Sequence, residues 1–343
     1  MKIAFIPPKV RSEYLTNTVL DGILQHMRDG DSAYHDIELA LPPEEYLCPY
    51  DLSPYRLDEV SFERFAATAD LIIFTCGKNT TNQELANKIG RWDKTVFIDG
   101  SELGKDRRYD RDIRTQLENR TYPEWGKIDE DMLAKCALYF RREKPYIGGI
   151  MPFPFGIESR YLGSYDAGKK RDIDFCCIFG QDEYPIMRRQ AVKVLEKFCK
   201  KNGLTCHTKK TKGFTFSDDQ KVAGRNEFYD ILARSKVGIS IGGGGFDTAR
   251  FWEILGNGCM LMTETIDIYE EGSSALDYKR IVQFSDLADF EKKLQEVAIF
   301  LKDGYAQINM SDEYAGIISA HSTKARVKGI FDEAVKRGII STQ

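Results

Sequence analysis

The chain has 343 residues, 42% of them apolar and 12% aromatic, with 49 Lys+Arg against 53 Asp+Glu. That composition excludes a disordered chain, and the length suits about two domains. Residues 1–150 hold 21 basic and 26 acidic side chains, a net −5, which leaves 28 and 27 for the rest. Neither half is a basic slab, so a tight non-specific grip on nucleic acid is not expected.

The opening Met-Lys-Ile-Ala-Phe-Ile run ends in Pro7-Pro8, too short an apolar run for a signal peptide, and it reads as a strand. Residues 13–27 place Leu15, Val19, Ile23 and Leu24 at helical spacing, and 37–41 is a strand. Runs 70–75 and 94–98 are apolar and β-branched, as in a parallel sheet covered on both faces. A helix is expected between them at 82–89, and a further strand at 137–140. Residues 148–162 are punctuated by proline and glycine and read as the linker between domains.

A second alternation follows: strand 173–179, helix 187–202, strand 204–207, a polar hairpin-like segment to 219, helix 226–235 and strand 237–241. Helix 248–257, strands 260–263 and 281–284 and helix 287–301 complete it. A last helix, 321–337, is long enough to pack back onto the first domain. The expectation is an α/β protein of two Rossmann-like domains, 1–150 with 321–337, and 151–320. A cleft is expected between them, with ligands at the C-terminal ends of both sheets.

Eight cysteines are scattered without a Cys-x-x-Cys pair, as buried thiols of a cytoplasmic protein are, and no zinc site is expected. No stretch approaches the roughly 20 apolar residues of a membrane span. The triplets at Asn79, Asn119 and Asn309 then read as chance matches to a glycosylation signal.

The most informative stretch is Val-Gly-Ile-Ser-Ile-Gly-Gly-Gly-Gly-Phe-Asp-Thr-Ala-Arg-Phe-Trp-Glu at 237–253. A buried strand enters four glycines, Gly242, Gly243, Gly244 and Gly245, and Asp247 or Thr248 caps the helix that follows. Glycines there allow close backbone approach, and the helix N-terminus offers N–H groups to an anion such as a diphosphate. Arg250 and Glu253, at i and i+3, share a face: the guanidinium suits phosphate and the carboxylate suits the two hydroxyls of a ribose. A glycine turn followed by a surface ion pair is the plainer alternative. A second glycine loop, at Gly180, leads to Arg188 and Arg189. Arg188 is expected at the phosphates of the same anion and Arg189 in solvent. His207 with Lys209, Lys210 and Lys212 reads as a charged hairpin tip.

In the first half, Asp99-Gly-Ser-Glu102 follows a buried strand. A hydroxyl that attacks as a nucleophile needs a base, and a carboxylate in reach serves. Asp99 and Glu102 are the candidates, against the alternative of a turn-forming Asp-Gly. Residues 77–81 are expected to line the acceptor side. Asp110-Arg111-Asp112 has the letters of a metal-binding Asp-x-Asp but lacks a strand before it, while Asp172 and Asp174 begin a strand rather than end one.

Arg250-Phe-Trp-Glu253, followed by Gly256-Asn-Gly-Cys-Met-Leu, resembles the donor-site helix and strand of GT-B glycosyltransferases. It is similar to exostosin-like and CgeB-like group-1 transferases and to the Arg-Val-Trp-Glu helix of phage DNA β-glucosyltransferase. The resemblance implies transfer of a sugar from a UDP- or GDP-sugar to a glycan or other hydroxylated acceptor, without a required metal or further cofactor. It also implies a donor site at Arg250 and Glu253. The phage enzyme has an aspartate after the strand matching that of Asp99 and uses it as the base of an inverting displacement, which makes Asp99 the leading base and Glu102 the reserve. The −5 balance of the acceptor half argues against DNA as acceptor. A sugar-nucleotide epimerase of the same architecture and a non-catalytic nucleotide-sugar binder are the other readings.

Overall fold

The computed structural model describes residues 1–9, 13–44, 46–76, 81–102, 127–162, 165–166, 168–179, 186–209, 219–243, 245–269, 272–303, 305 and 310–341. Internal contacts divide it into two units. Of the described residues, the first unit holds 1–102, 127–156 and 321–341, and the second 157–320.

The first unit contains strands β1 (Lys2–Ile6), β2 (Glu38–Ala40), β3 (Leu71–Cys76), β4 (Thr95–Asp99), β5 (Leu138–Arg141) and β6 (Met151–Pro152). Its helices are α1 (Tyr14–Arg28), α2 (Glu59–Thr68), α3 (Gln83–Ile89), α4 (Glu130–Lys135) and α11 (Thr323–Lys336). The strands form one parallel sheet in the order β2-β1-β3-β4-β5-β6. β1, β3 and β4 are almost wholly buried because helices cover both faces, which is why they read as unbroken apolar runs. Phe62, Ala66, Ala86 and Met132 of α2, α3 and α4 pack on Ile72, Phe74, Phe97 and Tyr139.

Helix α1 packs along α11. The approach is close enough that a Cβ on Gly22 would lie 2.4 Å from the Thr323 carbonyl oxygen, so glycine is required there. The seam is polar and satisfied. Thr323 Oγ1 donates to Asp21 Oδ2 at 2.6 Å, and Gln25 Nε2 donates to the same oxygen at 2.8 Å. His26 Nε2 meets the Lys324 carbonyl at 3.0 Å and Nδ1 meets Ser32 Oγ at 2.6 Å. A carbonyl can only accept, so Nε2 carries the proton and Nδ1 accepts from the serine; burial pushes the His26 pKa down in keeping with a neutral ring.

The second unit contains β7 (Ile173–Cys176), β8 (Cys206–His207), β9 (Ser235–Ser240), β10 (Met260–Glu264) and β11 (Ile281–Phe284). Its helices are α5 (Ser159–Leu162), α6 (Ile186–Asn202), α7 (Asp219–Arg234), α8 (Ala249–Gly256), α9 (Leu287–Asp303) and α10 (Met310–His321). Its parallel sheet runs β11-β10-β9-β7-β8. Alternation along β9 sends Val237, Ile239 and Ile241 into a core with Leu195 and Phe198 of α6 and Phe290 and Leu294 of α9. The other face meets α8: a Cβ on Gly238 would lie 2.7 Å from the Ile254 side chain.

Both sheets are doubly wound, and each reverses its winding once. The reversal falls between β1 and β3 in the first unit and between β7 and β9 in the second. Loops leaving adjacent strands on opposite faces part at such a point and open a crevice at the strands' C-terminal ends.

Four helices, α2, α4, α5 and α10, exceed the sequence expectation. In α2 only Phe62 and Ala66 are buried, too sparse a stripe to stand out, although the Asp58 carboxylate caps it by accepting the Ser61 N–H. Residues 321–337 are not one uninterrupted helix, because Ser322 is extended and N-caps α11. All eight cysteines are free thiols. Among the described residues no helix is long and apolar enough to cross a membrane.

Candidate functional site

The second unit's reversal point gathers most of the residues expected to bind an anion. β9 delivers the chain to Ile241–Gly243, where the Gly242 N–H donates to Glu264 Oε2 at 3.0 Å and the Gly243 N–H to the Gly245 carbonyl at 3.1 Å. Thr248 is the N-cap of α8: its Oγ1 accepts from the Phe251 N–H at 3.4 Å and lies 3.2 Å from Ser240 Oγ. Asp247, the other candidate cap, instead accepts from Trp252 Nε1 at 2.8 Å. Phe251, Trp252, Ile254 and Leu255 are buried, which fixes the rotation of α8 and sets the direction of Arg250 and Glu253.

Arg250 Nη1 donates to Glu253 Oε2 at 2.6 Å, and the two side chains are 12% and 5% exposed. This is a sheltered pair rather than a solvated surface one. The guanidinium lies 3.8 Å above the Phe228 ring, and Tyr229 Oη donates to Glu253 Oε1 at 3.4 Å. Arg250 Nε is buried without a hydrogen-bond partner among the described residues. An unmade hydrogen bond of a buried cation is costly, so this donor marks a place where a ligand acceptor is wanted.

Arg188 enters the same site from α6. Its Nε and Nη2 donate to the Ile241 carbonyl at 3.2 and 2.9 Å, and its guanidinium lies 4.9 Å from the centre of the Phe179 ring. A Cβ on Gly243 would stand 2.7 Å from Arg188 Nη2, so glycine there makes room for the arginine. Burial, and then the neighbouring charge of Arg250, push the Arg188 pKa down to about 10, which leaves it charged at neutral pH. Two guanidinium groups that disfavour each other in a sheltered site are relieved by an anion placed between them.

Arg188, Gly243, Gly245, Thr248, Arg250 and Glu253 thus share one site, while Gly180 and Gly244 lie outside the described residues. Arg189 is exposed. Asp172 and Asp174 pair with Arg234 and Lys236 at 2.7 and 2.6 Å at the start of β7, far along the strand from this end. Asp110, Asp112, Lys210 and Lys212 are also outside the described residues. Phe228, Tyr229 and Glu264 join the site without having been expected. A carboxylate ending a strand next to the glycine loop was the available signal for Glu264; nothing in the letters marks the other two.

In the first unit, Asp99 ends β4 and is 2% exposed. Its carboxylate accepts from Arg141 Nη1, from Tyr139 Oη at 2.7 Å and from the Ser101 N–H at 2.8 Å. Arg141 is fully buried, so Asp99 is its counter-charge. Burial, with the charge of Asp99 second, pushes the Tyr139 phenol far up. Glu102 accepts from Arg142 Nη2 at 2.8 Å, and Arg142 lies 4.6 Å from the centre of the Phe155 ring. Residues 77–80 of the expected acceptor lining lie outside the described residues.

No protein-family model matches the sequence, and no curated protein matches it. Solved structures do match in fold. A glycosyltransferase of Rickettsia africae superposes with a TM-score of 0.59 at 8% identity over 98% of both chains. Anabaena HepE, solved in complex with UDP, gives 0.54 at 10% identity over 98% of this chain and 100% of that one. The UDP-GlcNAc 2-epimerase of Methanocaldococcus jannaschii gives 0.45 at 8% identity over 97% and 99%. The first two likenesses show that the chain has the GT-B fold, with two Rossmann-like α/β units.

Proposed function

We propose that the protein is a GT-B glycosyltransferase that takes a sugar from a nucleotide-diphosphate sugar and passes it to a hydroxyl acceptor, a glycan or other saccharide. The observation that carries this reading is the convergence of Arg188, Arg250 and the N-terminus of α8 on the glycine loop at the second unit's reversal point, with Glu253 beside them. A diphosphate fits that set: two guanidinium groups, one of them with an unused buried N–H, beside the glycine loop and the helix start. Glu253 then accepts from the ribose hydroxyls, with Tyr229 holding its other oxygen. UDP stands in complex with the Anabaena HepE protein of the same fold, which favours a uridine nucleotide.

In this reading the second unit is the donor domain and the first the acceptor domain. As the acceptor oxygen bonds to the anomeric carbon, the bond from that carbon to the diphosphate breaks and the leaving oxygens gain charge. Arg188 and Arg250 are preorganised to stabilise it. Asp99 and Glu102 shape the acceptor edge, Asp99 by holding Arg141 and Tyr139, and Glu102 by holding Arg142. The displacement is inverting.

The test of the site is a structure with UDP bound, in which the diphosphate lies on Gly243, Gly245 and Arg250. The test of the reaction is product analysis with a panel of UDP- and GDP-sugars: a transferase yields a new glycoside, an epimerase a new nucleotide sugar, and a binder neither.

A further inference from the structure

The first unit has a reversal point of its own, and the residue standing there is Glu13. It follows β1 as the N-cap of α1, and across the reversal lies Cys76, the last residue of β3. We propose that Glu13 is the general base that takes the proton from the acceptor hydroxyl. This inference rests on the glycosyltransferase reading and assigns a catalytic residue within it.

Asp99, Glu102, Glu143 and Glu13 lie at this edge, and their surroundings separate them. Asp99 is buried and bound to Arg141, to Tyr139 and to the Ser101 amide. A proton taken there would strip a fully buried guanidinium of its counter-charge, which is costly. Glu102 and Glu143 are likewise engaged with Arg142. Glu13 is partly buried, and its carboxylate accepts from the Thr16 N–H at 2.7 Å, with the Leu15 N–H and the Thr16 hydroxyl also turned toward it. Among the described residues it forms no salt bridge. Its charge is therefore not committed to a buried cation, and it can take up a proton at the position where doubly wound sheets bind ligands.

The groups around it act on its basicity in opposite directions, and burial outweighs the rest. Burial raises the Glu13 pKa above the usual carboxylate value, against the Leu15 and Thr16 amides of α1 and the charge of Arg142 after β5, all of which lower it. Tyr46, after β2, accepts from the Glu13 N–H at 2.7 Å and is itself held neutral by burial and by Glu13. Cys76 is pushed up by burial, by Asp99 and by Glu13, so it too is neutral. Arg142 is a charged group outside α1 acting on Glu13, and its guanidinium is already shared between Glu102 and Glu143. A carboxylate raised toward the working pH is a better proton acceptor than an ordinary one.

In the step itself the acceptor O–H proton passes to the Glu13 carboxylate as the oxygen bonds to the anomeric carbon. The bond to the diphosphate breaks and its electron pair leaves with the nucleotide. Glu13 afterwards returns the proton to solvent.

The experiment compares wild type with Glu13→Gln and Glu13→Asp, using UDP-glucose, UDP-galactose and UDP-N-acetylglucosamine as donors. Methyl glycosides serve as acceptors, with water as the fallback acceptor, and UDP affinity and melting temperature are read in parallel. Glutamine keeps a side-chain oxygen for the Thr16 N–H, so the fold is retained. The expected result for Glu13→Gln is UDP affinity within about twofold of wild type and turnover reduced about 10²–10⁴-fold, as for loss of a general base. The acid limb of kcat/KM present in wild type should be missing from the residual activity, and Glu13→Asp should recover part of the rate. Turnover within about threefold of wild type in Glu13→Gln overturns the assignment, and so does an unchanged acid limb. Failure of wild type to bind UDP or turn over any donor refutes the glycosyltransferase reading itself, a different outcome from normal transfer by the glutamine variant.

Discussion

Replacing Arg250 by methionine removes its charge while keeping most of its volume over Phe228. Without ligand, the change leaves Glu253, 5% exposed, with Tyr229 Oη at 3.4 Å as its remaining side-chain partner. Removing one member of a buried ion pair costs about 3–5 kcal/mol, and the 12% exposure of Arg250 puts this pair at the lower end, about 3 kcal/mol. At about 2–4 °C per kcal/mol, the second unit should melt about 6–12 °C lower. A second change, Glu253→Gln, should return part of that loss by removing the orphaned charge. The effect on binding is separate. A hydrogen bond to a charged group contributes about 1.5–3 kcal/mol, and Arg250 exchanges some of its bond to Glu253 for the phosphate, so a net loss of about 2 kcal/mol is expected. That is about a 30-fold rise in the Kd for UDP. Isothermal titration of the folded variant reads it directly, with Arg250→Lys expected between the two. A Kd for UDP within twofold of wild type, in a variant shown to be folded, would refute the assignment of Arg250 to the diphosphate.

Two further outcomes concern the first unit. Asp99→Ala should destabilise it by about 3–5 kcal/mol, because Arg141 is left buried without its counter-charge, while UDP affinity in the second unit stays unchanged; denaturant unfolding followed alongside nucleotide titration checks both halves of that statement. His26 is held neutral at the seam of α1 and α11, its pKa lowered by burial. The unfolded chain binds the proton first, so stability is full above about pH 6.5 and falls as pH drops below it, toward the lower folded pKa. Melting curves of wild type and His26→Gln between pH 5 and 8 should show a slope in the former that is reduced in the latter.

The strands were legible because sheets covered on both faces demand apolar runs, and β1, β3, β4, β9 and β10 have them. Helix α2 was not, since its two buried residues leave a weak stripe and its stop is not marked by glycine or proline. In the candidate site, Arg250 and Glu253 were legible because both lie on one helix, where i and i+3 spacing fixes their relation. Arg188 was legible as a basic residue near a loop, but its bond to the Ile241 carbonyl spans 53 positions and depends on how α6 crosses β9. Asp99 was placed at its strand end from local pattern alone. Its occupation by Arg141, 42 positions away on the neighbouring strand, is a consequence of sheet order that no local pattern contains. Glu13 was hidden for the same reason, because the reversal between β1 and β3 is a property of topology.

The central claim is that the glycine loop and α8 form a nucleotide-diphosphate site. A crystal structure with UDP tests it most directly. The account predicts the diphosphate against the glycine loop, with Arg250 and Arg188 on its oxygens and the ribose hydroxyls on Glu253. UDP bound elsewhere, or at this loop with Arg250 and Glu253 still closed on one another and untouched by the ligand, would contradict it.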